Sequence, residues 1–583
     1  MTGADLLVRC LEKAGSDTVF GVPGTQNTVL FEALRKSHLR TILATHELGA
    51  AFQANGFART SGKPGIVVTI PGPGFLYALT GVVEARHDSA PIVLFVPRAH
   101  EIEGKRFQLQ VLDQSAIAAG AFKETLIVER PGDIPEGVSA ALESSLSGEP
   151  GPVLVEILDS ALRGEATRTP APPTSAKAKD GGVSPAGLAA VLDRVIESRR
   201  IVLLLGQGSF DAAEPLLALT EQLESVVVTN SSGRGVIPED HLRSVCGDFS
   251  GWGTGTLNSL VEESDLVLAL GYKFSGNGSS SFSLKLPEEK LIHVDSSAEV
   301  LNANYPAHLS LQMDVGVFSR SVLRRLESGG RRVEGWKAAE ARVWKESFAE
   351  ERRSTVRHFP RLRSGGPDGL LAFFQALESF LPRDAIVVTD SGMHQNVVRR
   401  LHQVNAPRGL LIPSDFQSMG FGVPAAIGAA LAAPDRRVVL VTGDGGMIMA
   451  GMELLTAVRE GLTLTVIIFN DGHLGQIRLQ QIADFGHPHA TKLGSVDFQS
   501  FADALGAEYV SWDVRDSEFP EEILQHQGVR IVDLRLADSP AVTTLKTKAV
   551  TRNALRTVLG ERALASVKGW IRRISSFPRS RRS

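Results

Sequence analysis

The chain has 583 residues, 43% of them hydrophobic and 22% charged, which excludes a disordered protein and implies several domains, because one core rarely grows past about 250–300 residues. A net charge of −4 with a pI near 6.4 excludes a general field for nucleic acid, so no nucleic-acid partner is expected. Two cysteines, Cys10 and Cys246, exclude a disulfide scaffold and a cysteine zinc site, and no apolar run reaches the ~18–20 residues that span a bilayer.

The opening segment, MTGADLLVRCLEKAG, reads as an amphipathic helix and not as a cleavable signal, so a cytoplasmic protein is expected. Residues 1–162 carry short β-branched runs between helix-like stretches: TILAT (41–45), GIVVTI (65–70), PIVLFV (91–96) and PVLVEIL (152–158). Such runs suit strands buried on both faces of a parallel sheet. Residues 163–183 hold three prolines and little to bury, and read as a linker. The theme repeats over 184–330 with IVLLLG, VVVTN, LVLALG and LIHVD. Residues 331–366 are charged, helical in pattern and end in RSGG, a second linker segment. Residues 367–545 bring AIVVTD, RVVLVTGDGG, LTVIIFND and RIVDLRL. The expected fold class is α/β, with three doubly wound parallel-sheet domains. The extension 546–583 is basic. Its last 33 residues hold nine Lys/Arg against Glu561, leaving 52 basic against 64 acidic residues elsewhere, or −12. It reads as a last helix docked on the protein, or as a helix that touches an anionic surface.

The chemistry concentrates in VVLVTGDGGMIMAGMELLTAVREGLTLTVIIFNDGHLG, residues 438–475. One buried strand ends in Gly443-Asp444-Gly445-Gly446 and a second in Asn470-Asp471-Gly472-His473. Parallel strands end on one sheet edge, so Asp444 and Asp471 come onto neighbouring loops. Two carboxylates beside a glycine-rich turn suit a hard divalent cation completed by phosphate oxygens. A GDG alone is a tight turn. The strand–GDGG–helix–strand–ND compound is far more specific.

That compound resembles the thiamine diphosphate-dependent decarboxylase and carboligase superfamily, acetolactate synthase type, whose motif is GDG followed by some 26–28 residues and Asn-Asn or Asn-Asp. The resemblance runs to about residue 545 and names the three domains pyrimidine-binding, central Rossmann-like and diphosphate-binding. It implies that Asp444, Asp471 and the His473 main-chain carbonyl hold Mg²⁺, with Gly443, Gly445, Gly446, Leu474 and Gly475 at the diphosphate. Asp390-Ser391-Gly392-Met393-His394-Gln395 implies Met393 and His394 beside the same group, and Met419, in QSMGFG, implies the apolar prop that holds the cofactor bent. Glu47, in THELGAAFQANGFART, would by itself be a helix-start acid. The resemblance implies the catalytic glutamate, which relays a proton at the aminopyrimidine N1′. Pro23 and Gly24 imply the pyrimidine side. Gln110 is aligned with a glutamine near the reacting centre, with Gln108 in competition. The resemblance also implies a homodimer or homotetramer with sites between subunits.

The departures concern the substrate. GPGFLY replaces the family's GPGATN, so Phe75, Leu76 and Tyr77 are expected to reshape the substrate end. Gln480 stands where branched-chain enzymes carry tryptophan, and Thr25 where glycine is common. His100 lacks the second histidine of simple pyruvate decarboxylases. The Arg- and Asp-rich FAD segment is replaced by GYKFSGNGSSSF (271–282), which makes FAD the doubtful cofactor. The expectation is thiamine diphosphate- and Mg²⁺-dependent decarboxylation of a small-molecule 2-oxo acid, pyruvate-like, with carboligation. The alternatives are a decarboxylase or acyl transferase, or a non-catalytic relative.

Overall fold

The computed structural model describes residues 1–99, 102–166, 185–329, 334–357, 369–513 and 521–536. Most of the 163–183 segment, His100 and the basic extension 546–583 lie outside the described residues. Eighteen strands among the described residues form three all-parallel six-stranded sheets flanked by helices. The strands read as near-continuous apolar runs because helices cover both faces.

The first sheet contains β1 (Thr18–Gly21), β2 (Arg40–Leu43), β3 (Gly65–Val68), β4 (Ile92–Arg98), β5 (Glu124–Val128) and β6 (Val153–Leu158), in the order β2-β1-β3-β4-β6-β5. The second contains β7 (Ile201–Leu205), β8 (Val226–Thr229), β9 (Ser244–Cys246), β10 (Leu266–Leu270), β11 (Leu291–Asp295) and β12 (Leu309–Gln312), in the order β12-β11-β10-β7-β8-β9. The third contains β13 (Ile386–Thr389), β14 (Leu410–Leu411), β15 (Val438–Gly443), β16 (Leu464–Asn470), β17 (Glu508–Asp513) and β18 (Val529–Arg535), in the order β14-β13-β15-β16-β18-β17. The first and third sheets therefore share one strand order, although no sequence repeat is visible. The second has the order of a dinucleotide-binding fold.

The segment read as a second linker contains a helix, Ala338–Arg357, that joins the core of the central domain through Ala341 and Phe348, with Trp336 buried in the same core just before it. Its Lys345 Nζ donates to the carbonyls of Glu239 and His241 at 2.7 Å.

The equivalent topologies bring two equivalent helices face to face. Helix Glu47–Ser61 follows β2, helix Gly422–Ala432 follows β14, and the two pack against each other. Phe52 meets Phe421 edge-on at 5.4 Å. A Cβ on Gly56 would collide with the Ala425 carbonyl, and one on Gly428 with the Gln53 carbonyl. Glycine permits this backbone approach and binds the first domain to the third. Among the described residues no helix is long and apolar enough to cross a membrane. Cys10 and Cys246 are free and buried.

Candidate active site

β15 and β16 pair in parallel with Gly443 opposite Phe469, so the GDGG and NDGH loops leave the same edge. Asp444 begins the helix Asp444–Ala450 and is buried. Its Oδ1 accepts the Gly445 N–H at 2.9 Å and its Oδ2 the Gly472 N–H at 2.7 Å. Gly472 turns with φ 67°, a conformation glycine adopts without strain. Asp471 Oδ1 accepts the His473 N–H at 2.9 Å. The Leu474 N–H donates to Thr491 O at 2.8 Å, which ties this loop to the segment beyond the next helix.

The facing wall follows β13. Asp390 is buried and accepts the N–H groups of Ser391, Gly420 and Gly422 at 2.6–3.1 Å. Burial pushes its carboxyl up to about 6 against these bonds. A Cβ on Gly446 would stand 2.8 Å from Asp390 Oδ2. Asp390 thereby fixes the turn at Met419-Gly420, which leaves Met419 37% exposed at the cavity. Next to it, His394 is buried, and its Nε2 has no hydrogen-bond partner. Burial lowers its pKa to about 4, so the ring is neutral at pH 7. A Cβ on Gly443 would come 3.2 Å from the His394 ring. Met393 packs against Leu479 and Ile482 of helix Gly475–Phe485.

These walls enclose a cavity of about 150 Å³. It brings together Met393, His394, Met419, Gly443, Asp444, Gly445, Gly446, Asp471, His473, Leu474 and Gly475. Phe469, Gln476, Ile477 and Leu536 also line it. Their apolar or neutral character carries no signal beyond that of ordinary core and helix positions. The residues fit a diphosphate with a hard cation. Two carboxylates and a loop carbonyl are a Mg²⁺-type donor set, whereas no three His, Cys, Asp or Glu side chains cluster among the described residues. The unpartnered His394 Nε2 and the bare Gly443 and Gly445 form a polar cradle that a Cβ would obstruct.

The other expected residues form a separate group in the first domain. Glu47 is the first residue of its helix, 9% exposed, with His46 as N-cap accepting the Leu48 N–H at 3.2 Å. Its carboxylate forms no hydrogen bond or ion pair with the described residues. A Cβ on Gly74 would lie 2.9 Å from Glu47 Oε1. Gly72, at φ 63°, donates its N–H to Gln114 Oε1 at 3.1 Å and abuts Gln110. Gln108 accepts the Ile102 N–H and donates to Ile102 O and Lys105 O, which occupies it as a loop brace. Gln110 is the glutamine left beside the Gly72 loop. Pro23 precedes Gly24, whose N–H donates to Asn27 Oδ1 at 2.8 Å. Phe75 is fully buried and stacks on Phe122, because the helix Pro73–His87 turns it into the core. Tyr77 is 54% exposed and packs on His46 at 4.7 Å.

Glu47, Pro23, Gly24 and Gln110 do not line the cavity of their own chain.

Three family comparisons cover most of the chain. Residues 1–117 match the thiamine pyrophosphate enzyme N-terminal TPP binding domain, 188–326 the central domain and 390–534 the C-terminal TPP binding domain. The large subunit of acetolactate synthase isozyme 1 of Escherichia coli is 29% identical over 92% of this chain and 94% of its own length. Chloroplastic acetolactate synthase 3 of Brassica napus is 32% identical over 82% and 72%. The probable 2-ketoarginine decarboxylase AruI of Pseudomonas aeruginosa is 30% identical over 92% and 94%.

Proposed function

The chain belongs to the thiamine pyrophosphate enzyme family and is a thiamine diphosphate-dependent carboligase or decarboxylase, and from this premise we propose that it decarboxylates a pyruvate-like 2-oxo acid and ligates the remaining unit to a second carbonyl. The observation that carries this reading is the convergence of Asp444, Asp471, His394 and Met419 on one cavity, with Glu47 presented unpartnered on the first domain. Thiamine diphosphate, held with Mg²⁺, supplies the electron sink for the bond cleaved next to the carbonyl. Asp444, Asp471 and the His473 carbonyl hold the cation. His394, neutral and unpartnered at Nε2, donates toward the diphosphate. Glu47 would hold and move the proton at the aminopyrimidine N1′, Met419 would pack against the bound cofactor, and Gln110 would orient the substrate. Phe469, Ile477 and Leu536 give the site an apolar wall.

The site is completed by a second copy of the chain, as a homodimer or a pair of such dimers. A cavity of about 150 Å³ is well below the roughly 300 Å³ at which cofactor-sized sites begin. Leu76 and Tyr77 beside Glu47, and Ile448, Met449 and Met452 beyond Asp444, are exposed apolar side chains on the two half-sites. The two buried free thiols suit the reducing cytoplasm.

Decarboxylation without ligation is the second reading, supported by the 2-ketoarginine decarboxylase relative. The test is a carbon-13 NMR time course with labelled pyruvate, thiamine diphosphate and Mg²⁺. Acetolactate is the expected product. Acetaldehyde alone selects the second reading. Unchanged pyruvate with cofactor bound removes pyruvate as donor and directs the assay to longer and basic 2-oxo acids.

A further inference from the structure

Two buried carboxylates cross between the first and third domains at topologically equivalent places. Glu453 lies on the segment after β15, the third strand of its domain, and is buried. It reaches the loop between β2 and the Glu47 helix. There it accepts the Thr45 Oγ1–H at 2.5 Å, the Thr45 N–H at 3.2 Å, the His46 N–H at 3.0 Å and Gln53 Nε2–H at 2.8 Å. A Cβ on Gly49 would occupy the same place as the carboxylate. Glu84 lies on the helix after β3, again the third strand, and is fully buried. It reaches the loop between β14 and the Gly422 helix and accepts the Ser418 N–H at 2.8 Å, one residue before Met419. Four residues on, at the cap of the same helix, Asp88 accepts the Ser414 N–H and Oγ–H at 3.1 and 2.6 Å.

We infer that Glu453 and Glu84 are reciprocal positioning residues: each domain lends a buried carboxylate that sets the loop carrying the other domain's site residue, Glu47 in one direction and Met419 in the other. The inference rests on the roles of Glu47 and Met419 given above. Burying a carboxylate without a cation beside it is costly, and Glu453 offsets that cost with three donors from the loop and one from Gln53 on the helix that follows it. Such a group is a poor choice for stability and a strong one for fixing a geometry, since four donors converge on two oxygens. Because Glu47 and Met419 of one chain serve different sites in the dimer, the two carboxylates also join those sites mechanically. Asp444 and Glu453, nine positions apart, place a cation ligand of one site and the clamp on Glu47 of the other on one short stretch of chain.

The test uses the full-length protein. Glu453→Gln keeps one acceptor oxygen and turns an NH₂ toward donors. Amide hydrogen exchange at Thr45 and His46, measured without cofactor, is expected to rise at least about tenfold. With cofactor, kcat falls about 10- to 100-fold while KM and the Kd for thiamine diphosphate stay within about threefold, as misplacement of a reacting group predicts. The swap Gln53→Glu with Glu453→Gln returns an acceptor to the cluster and restores both protection and kcat. Gly49→Ala, which drives a methyl group into the carboxylate, reproduces the loss if Glu453→Gln folds poorly. Glu84→Ala raises exchange at Ser418 in the same way, and Glu84→Gln, which keeps the acceptor, does not. Unchanged exchange at Thr45 and His46 in Glu453→Gln overturns the inference, whatever the activity. Full turnover by Glu47→Gln would instead remove the role of Glu47 and leave the exchange result standing.

Discussion

The Asp444 carboxylate accepts the Gly472 N–H at 2.7 Å, across the ends of two adjacent parallel strands. One oxygen of a cation-ligand candidate thus sets the height of the loop that carries Asp471 and His473. The second oxygen is held by the Gly445 N–H at the first turn of its helix. The donor set is built before any cation arrives, which lowers the ordering cost of binding.

Asp444→Ala removes a ligand and the strut together. Mg²⁺-dependent affinity for thiamine diphosphate is expected to fall by more than about 100-fold, beyond the 10–100-fold typical of outer-shell partners. Calorimetric titration with and without Mg²⁺ reads this directly. An affinity equal to that of the wild type would take Asp444 out of the cation site.

The domain-joining helices yield a stability prediction. A methyl group at Gly428 would overlap the Gln53 carbonyl, a backbone atom that cannot rotate away. Gly428→Ala is expected to cost about 1–3 kcal/mol or more, the range for overpacking, and to lower the melting temperature. Gly15→Ala serves as contrast for strain without collision, since Gly15 sits at φ 78° with open space around it. A Gly428→Ala protein that melts with the wild type would mean that the two helices are not in contact in solution.

Much of this was legible in the sequence, for identifiable reasons. The GDGG–ND spacing marks two strands that must end on one edge, and Asp444 and Asp471 do line one cavity. Periodicity does not separate strands buried on both faces from helices, but short length and β-branched content do, and the short apolar runs lie in three six-stranded sheets. Glu453 and Glu84 went unnoticed because each is a single acid in an otherwise ordinary amphipathic stretch, GMELLTAV and LTGVVEARH. Their partners lie 408 and 334 positions away, a separation that no local pattern encodes. Phe75 shows the opposite case: its motif position points to the substrate end, while the helix phase buries its ring against Phe122. Gln108 and Gln110 became distinguishable only through the loop hydrogen bonds of Gln108.

His293 yields a pH prediction in the central domain. It is fully buried, its Nε2 lies 3.0 Å from the Tyr272 carbonyl, and burial lowers its pKa to about 4. Between about 6.5, the unfolded value, and 4 the unfolded chain takes up a proton that the folded chain refuses. The stability contributed by neutral His293 is therefore complete above pH 6.5 and declines as pH falls toward 4. Relative to His293→Gln, the wild type is expected to lose up to about 1.4 kcal/mol per pH unit across that window. Parallel denaturant unfolding of both proteins at pH 5 and 7 measures it, and identical pH slopes would show that His293 titrates normally.

The half-sites yield the sharpest test, because Glu47 and the Asp444 cavity belong to one chain yet do not meet in it. Glu47→Gln is expected to bind thiamine diphosphate and lose most turnover, and Asp444→Ala to lose both. If each site pairs Glu47 of one copy with the cavity of another, a mixed dimer of the two variants has one doubly damaged site and one intact site. Unfolding and refolding the variants together in equal amounts makes half of the dimers mixed under random pairing. Activity should then return to about one quarter of the wild-type value, while each variant refolded alone stays inactive. If the sites are built within single chains, every site in the mixture carries one lesion and no activity returns.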